Sequence, residues 1–290
     1  MSRLAEWTAQ RVLITDGAWG TRLQELGLDP GEIPDAWNLA HPERVEQVAR
    51  EYVEAGSDVI LTNTFRANRI TLAAAGLADR SREINQSGVE LSRRAAAGRA
   101  RVAASIGPSG RMLMTGEVTP EELHAAFLEQ AEALAAAGAD ALLVETMSDL
   151  EEARIALRAA RTTGLPVIVS FAFDTGRNRD RTMMGVTPEQ AAAEMQAEGA
   201  DAVGANCGAG IDRFPALCER MRQACTLPVW IKANAGLPEW REGRAVYTAE
   251  PAAFAAHLRA LVEAGASFVG GCCGTSPDFV RALVAAREAL

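Results

Sequence analysis

Eight short apolar runs, rich in β-branched residues, alternate along this chain with longer segments of helical periodicity, and that alternation leaves few folds open. The runs fall at 11–15, 58–62, 102–106, 141–145, 167–171, 202–205, 229–233 and 267–270. Several are apolar at successive positions rather than at every second one, as expected of parallel strands covered on both faces. Between them the spacing is 3.6. Val45, Val48, Ala49 and Tyr52 share one stripe, and so do Leu123, Phe127, Ala131 and Leu134. Thr119 before Pro120, Glu121 and Glu122 reads as a helix start, and Thr187 before Pro188 and Glu189 repeats it. Gly56, Gly138, Gly199 and Gly265 each stand two or three residues before a strand, where a left-handed glycine closes the preceding helix.

Eight strands with intervening crossovers build either a doubly wound sheet or a closed barrel. The length of 290 residues and the lack of a central break in composition favour one (β/α)8 TIM barrel spanning residues 1–290. Closure also leaves no strand edge unpaired.

A net charge of -9 argues against a surface for phosphate backbones. Arg93, Arg94, Arg99 and Arg101 read as a solvated helix end, while Asp174 and Asp180 interrupt Arg177, Arg179 and Arg181. No apolar stretch is long enough to span a membrane, and the N-terminus lacks the apolar run of a secretion signal. Five cysteines are too few, and odd in number, for a disulfide scaffold. The expectation is a soluble, cytoplasmic protein whose thiols are free or metal-bound.

The polar exceptions cluster where the apolar runs end. They include Asp16-Gly17, Asn63-Thr64, Glu145-Thr146, Asn206-Cys207, Asn234-Ala235 and Gly271-Cys272-Cys273. In a barrel all of these lie at the C-terminal strand ends, the face that carries chemistry. More than 60 residues separate Cys207 from Cys272 and Cys273, so only closure brings them together. Neighbouring residues of an ideal strand point to opposite faces. Gly270, Gly271 and Gly274 let the chain leave the strand and turn both adjacent thiols inward.

Three thiolates with one open position suit Zn2+. Such a site carries a formal charge of -1, so it is a poor generator of hydroxide. It can still bind an incoming thiol, favour its deprotonation and keep the sulfur nucleophilic. Buried packing cysteines, a vicinal disulfide, or a structural zinc site with a distant fourth ligand are the competing readings. Cys218 and Cys225 read as packing residues in the helix that follows Cys207.

At these residues the chain resembles the homocysteine S-methyltransferase family, and within it the homocysteine-binding module of cobalamin-dependent methionine synthase. The similarity rests on Asp16-Gly17-Ala18-Trp19-Gly20-Thr21, Thr62-Asn63-Thr64-Phe65, Gly107-Pro108-Ser109-Gly110, Glu145-Thr146, Asn206-Cys207, Asn234-Ala235-Gly236 and Gly270-Gly271-Cys272-Cys273-Gly274-Thr275, in that order. The resemblance implies a (β/α)8 barrel that binds homocysteine on zinc held by Cys207, Cys272 and Cys273. It implies that Asp16 and Glu145 hold the substrate's amino group and that the turn at Gly17, Ala18 and Trp19 receives its carboxylate. Asn63, Asn206 and Asn234 match polar positions around the site.

The implied reaction is methylation of the homocysteine thiol to methionine. The methyl comes either from a separate methyl-corrinoid protein or from a small donor such as S-methylmethionine, S-adenosylmethionine or a betaine. No cobalamin- or folate-binding module is expected after the barrel. Trp19 reads equally as a wall towards the donor and as rim packing. Two other functions stay open: an aldolase or hydrolase centred on Lys232, the only lysine, and a zinc-dependent binding or regulatory module without turnover.

Overall fold

The computed structural model describes residues 3–29, 31–241 and 244–290. Eight parallel strands form one sheet: β1 (Leu13–Ile14), β2 (Val59–Ile60), β3 (Arg101–Ile106), β4 (Ala141–Met147), β5 (Val167–Phe171), β6 (Ala202–Gly210), β7 (Val229–Asn234) and β10 (Ala266–Gly271). A small antiparallel hairpin, β8 (Glu239–Arg241) with β9 (Arg244–Val246), stands in the β7–β10 connection. Around the ring the order is β1, β10, β7, β6, β5, β4, β3, β2, and a parallel bridge from Thr15 to Val59 closes it. The expected (β/α)8 barrel is therefore the observed fold. Strand bounds differ mostly at the ends. β1 and β2 keep only two ladder residues each, whereas β6 runs on through Cys207 to Gly210.

The helix-closing glycines do what their spacing predicts. Gly56, Gly138, Gly199 and Gly265 all have φ between 86° and 100°. Three of these turns share a further device. Asp58, Asp140 and Asp201 each accept, through a side-chain oxygen, the N–H of the preceding strand at Ile14, Val102 and Val167, at 2.7–2.9 Å. Each also donates its own N–H to the carbonyl of that same residue. This two-point clamp sets the register at the N-terminal end of the barrel. Asp58 is additionally ion-paired to Arg11 and Arg287, tying the first barrel strand to the last helix.

Thr119 and Thr187 cap their helices with reciprocal bonds to Glu122 and Gln190. The helical segment expected through 254–262 is broken into Pro251–Ala255 and Leu258–Glu263. The basic stretch at 93–101 is solvated and neutralised: Arg94 pairs with Glu46, Arg93 with Asp140, and Arg101 stacks on Trp7. Among the described residues no helix is long and apolar enough to cross a membrane.

Side-chain alternation divides the core into two layers. Ile14, Val102, Val144, Val169, Val203, Ile231 and Val269 face the helices. Leu13, Ala103, Leu143, Ile168, Ala202, Trp230 and Phe268 fill the barrel interior with Leu4 of the N-terminal helix beneath them. Trp230 and Phe268 lie 5.0 Å apart, ring centre to ring centre. The next inward positions are Ser105, Glu145, Ser170, Lys232 and Gly270, two residues further along their strands, and Asn206, which follows Ala202 and Gly204 on the inward phase of β6. A polar layer thus sits directly on an apolar plug.

Packing around Trp230 requires a neighbour without a side chain. A Cβ on Gly204 would stand 2.1 Å from the Trp230 carbonyl oxygen and 2.7 Å from its Cβ. Gly204→Ala should therefore force β6 and β7 apart and lower stability by about 1–3 kcal/mol or more. Thermal and denaturant unfolding measure this, and an unchanged melting temperature would contradict the tight β6–β7 approach.

Candidate metal centre

The ladder of β6, β7 and β10 carries the thiols. Asn206, Lys232 and Gly270 lie at one level, and Cys207, Ala233 and Gly271 at the next. Cys207 has φ 61° and is followed by Gly208 at 66°, so β6 bulges there and its register to β7 shifts before Gly210. A left-handed backbone is costly for a residue with a Cβ and persists only where surrounding structure holds it. Here it aims the Cys207 sulfur across the barrel mouth.

Beyond β10 the chain turns at once. Cys272 donates its N–H to Ala233 at 2.7 Å, Thr275 returns an N–H to the Cys272 carbonyl at 3.2 Å, and Gly274 takes φ 79°. This turn places both adjacent thiols on the same side. Gly274 acts as expected, but Gly270 and Gly271 serve packing rather than conformational freedom. A Cβ at Gly270 would come within 1.9 Å of Thr15 Oγ1, and one at Gly271 within 2.2 Å of Thr275 Oγ1.

The Sγ atoms of Cys207, Cys272 and Cys273 lie within 4.8 Å of one another, and among the described residues no other cluster has metal-ligand spacing. Zinc–sulfur bonds of about 2.3 Å in a tetrahedron need thiolates about 3.8 Å apart, so this soft donor set fits zinc. Asn234 braces the set from behind. Its Nδ2 lies 3.7 Å from the Cys207 sulfur, and its Oδ1 accepts the Cys273 N–H at 3.1 Å. The thiol of Cys207 is pushed well down because the S–H groups of Cys272 and Cys273 donate to it, and those two thiols are pushed up in return. Cys218 is buried at the helix Phe214–Ala224 and its thiol is pushed up to about 12 by burial, as suits a packing residue. Cys225 is also buried.

The thiols open onto a cavity of about 320 Å3. Glu145 and Lys232 reach it from its floor, Trp19 and Phe65 from its walls. Glu145 is 5% exposed. Its Oε1 accepts from Ser105, and burial raises the carboxyl to about 7 against the opposing effects of Ser105 and Lys232. Thr146 beside it is held at φ 63° by Asn206, which accepts the Thr146 N–H at 2.9 Å and donates to its hydroxyl at 2.7 Å.

Other expected site residues are placed less directly. Asp16 is fully buried and does not line the cavity. Its carboxylate is engaged by Lys232, by the indole of Trp19 at 2.7 Å and by the Leu61 N–H at 2.7 Å. Gly17 and Ala18 line the cavity, but the Ala18 N–H is directed to Thr275. Asn63 lines it too, with its amide committed to Pro34 and Asn38. Asn206 and Asn234 stand behind the lining. Ser105 and Tyr52 belong to the site although sequence reasoning gave them no part in it; Lys232, read there only as the centre of an aldolase or hydrolase, and Thr275, quoted there only within the cysteine motif, join them. The Tyr52 hydroxyl meets the carbonyls of Ala18 and Thr275 at 2.6 and 3.2 Å and so joins the first strand's turn to the cysteine turn. Only the inward phase of β3 and β7 could have signalled Ser105 and Lys232.

Fold and site together define a (β/α)8 barrel with a thiolate metal centre over a small cavity floored by a carboxylate. The chain belongs to the homocysteine S-methyltransferase family, whose model matches residues 13–287. It is 34% identical to the methionine synthase of Mycobacterium leprae and 33% identical to that of Mycobacterium tuberculosis, in each case over 98% of this chain. It spans about a quarter of the length of these curated relatives (25%). The metallated homocysteine methyltransferase MmuM of Escherichia coli superposes with a TM-score of 0.81 at 25% identity, covering 97% of this chain and 98% of the other.

Zinc-replete protein should contain about one zinc per chain, and Cys207→Ser, Cys272→Ser and Cys273→Ser should each reduce it sharply in metal analysis. Full zinc in all three variants would remove the cluster from consideration. Because the Cys272 and Cys273 thiols are held protonated in the metal-free protein, zinc must displace two protons. Apparent zinc affinity should therefore fall as pH falls, by up to about a hundredfold per unit near neutrality. Competition with a chromophoric chelator between pH 6 and about 8 reads this, and a flat profile would contradict it.

Proposed function

We propose that this protein methylates the thiol of homocysteine to give methionine, taking the methyl from a small cationic donor. The observation that carries the reading is the convergence of three thiols on a cavity of amino-acid size whose floor is a buried carboxylate. Cys207, Cys272 and Cys273 would hold zinc, which when bound lowers the pKa of a substrate thiol and keeps its sulfur electron-rich.

The remaining work falls to this chain's own groups. Glu145 receives the substrate ammonium, since its Oε2 takes no hydrogen bond from the described residues while Oε1 is held by Ser105. The carboxylate falls to the N–H groups opening the helix Gly20–Glu25, which have no partner inside the helix. The Ala18 N–H is excluded from that role by its bond to Thr275. Asn234 orients Cys207 and Cys273, and Asn63 and Asn206 stiffen the loops that carry the lining. Trp19 and Phe65 exclude water and present aromatic faces that suit a sulfonium or quaternary ammonium.

A small donor is favoured because the Escherichia coli homocysteine methyltransferase matches this barrel over 98% of its own chain. A methyl-corrinoid protein as donor is the second reading, favoured by the 34% identity to a methionine synthase. A reducing cytoplasm would suit thiols that must stay free for metal.

Homocysteine should be incubated with the zinc-loaded protein and, in turn, S-methylmethionine, S-adenosylmethionine, glycine betaine, methyl-folate and a methylated corrinoid protein. Methionine should form with a cationic small donor. Formation only from the corrinoid protein would overturn that donor class, and no methionine from any donor would favour a binding module. Glu145→Gln should raise KM for homocysteine at least about tenfold, the loss expected when a charged hydrogen bond of ~1.5–3 kcal/mol is removed.

A further inference from the structure

Lys232 is the only lysine in the chain, and it is 1% exposed in the middle of the barrel. A buried ammonium is costly unless it is paired and hydrogen-bonded. One turn of the alternation below it, the inward residue of the same strand is Trp230, so an apolar side chain is tolerated at the neighbouring level. The cation therefore answers a need specific to the polar layer.

Its partner is Asp16 twice over. Nζ donates to the Asp16 carbonyl at 2.9 Å and to the carboxylate oxygen Oδ1. The other oxygen, Oδ2, accepts the indole N–H of Trp19 and the backbone N–H of Leu61, both at 2.7 Å. Three donors thus surround a carboxylate that has no exposure to the cavity. Glu145, facing the cavity from β4, has one donor, Ser105. With Lys232 present and Glu145 ionised, the two carboxylates and one ammonium leave a single negative charge, the complement of one substrate ammonium. Without it the buried Asp16 carboxylate and Glu145 would repel each other in a desolvated layer, an arrangement that favours protonation of one of them.

We propose that Lys232 is a positioning residue: it locks Asp16 as the anchor for Trp19 and Leu61 and leaves Glu145 as the sole carboxylate that meets the amino group of an amino-acid substrate. This rests on the reading that the cavity binds homocysteine. It divides the two acids by role, Asp16 holding the wall and Glu145 holding the ligand.

The test compares Lys232→Met, which keeps length and removes charge, with the charge-balanced double variant Lys232→Met/Asp16→Asn and with Glu145→Gln. Lys232→Met should be strongly destabilised because it strands a buried carboxylate. The double variant should recover most of the lost melting temperature, a non-additive rescue that a packing role for the lysine would not produce. In the double variant kcat should fall, because a neutral amide oxygen holds Trp19 more weakly than a carboxylate, with homocysteine KM within about threefold of the parent. A KM rise matching that of Glu145→Gln would show that Asp16 holds the ammonium directly and would overturn the proposal. So would equal melting temperatures for the single and double variants. Thermal unfolding needs no turnover, so a parent protein that makes no methionine defeats the functional reading while the Lys232–Asp16 coupling is still decided.

Discussion

The parallel ladder of β6, β7 and β10 holds this site together. Its register sets Cys207 level with Gly271, one residue before the Cys272–Cys273 turn, and it sets Lys232 level with Asn206 and Gly270. A slip of one residue would reverse every inward side chain and scatter the thiols. The spacing is close because glycine stands where a side chain would collide: Gly204 against Trp230, Gly270 against Thr15, and Gly271 against Thr275. The aspartate clamps at the opposite end of the barrel set register elsewhere in the ring, at β1, β3 and β5.

Above the apolar plug, electrostatics take over from packing. Buried charges in the polar layer are organised into a Lys232–Asp16 pair and a separate Glu145, rather than an undivided acidic cluster. Two residues with side chains, Thr146 and Cys207, are held at positive φ within this layer. Both are restrained by asparagines from other strands: Asn206 of β6 reaches past β5 to Thr146 on β4, and Asn234 of the adjacent β7 reaches Cys207. Local strain at the mouth is thus supported by side-chain amides that never reach the cavity surface.

Much of this was legible from residue order. Apolar runs marked all eight barrel strands, and glycines two or three residues ahead marked four of their starts. The threonine–proline–glutamate signatures placed two helix N-termini. Strand length was less legible at β1 and β2, because ladder pairing depends on the neighbour's shape and not on the hydrophobicity of the run. The 254–262 stripe kept its period while the helix broke, since a hydrophobic stripe does not report backbone continuity. Glycine-rich surroundings correctly marked the cysteine turn. They did not reveal that Cys207 itself, rather than a glycine, takes the first left-handed position of its bulge.

The residue order was enough to specify a closed barrel and to place three thiols and a set of polar groups at one end of it, because alternation and periodicity are local properties. Which of those polar groups face a ligand was decided only by folding. Asp16 and Glu145 both follow an apolar run, yet one is enclosed by Lys232, Trp19 and Leu61 and the other opens to the cavity. Lys232 lies 216 residues from Asp16, so no window of sequence could display their pairing. The charge that a carboxylate presents to a substrate depends on what surrounds it in space, and that surrounding exists only once the ring has closed.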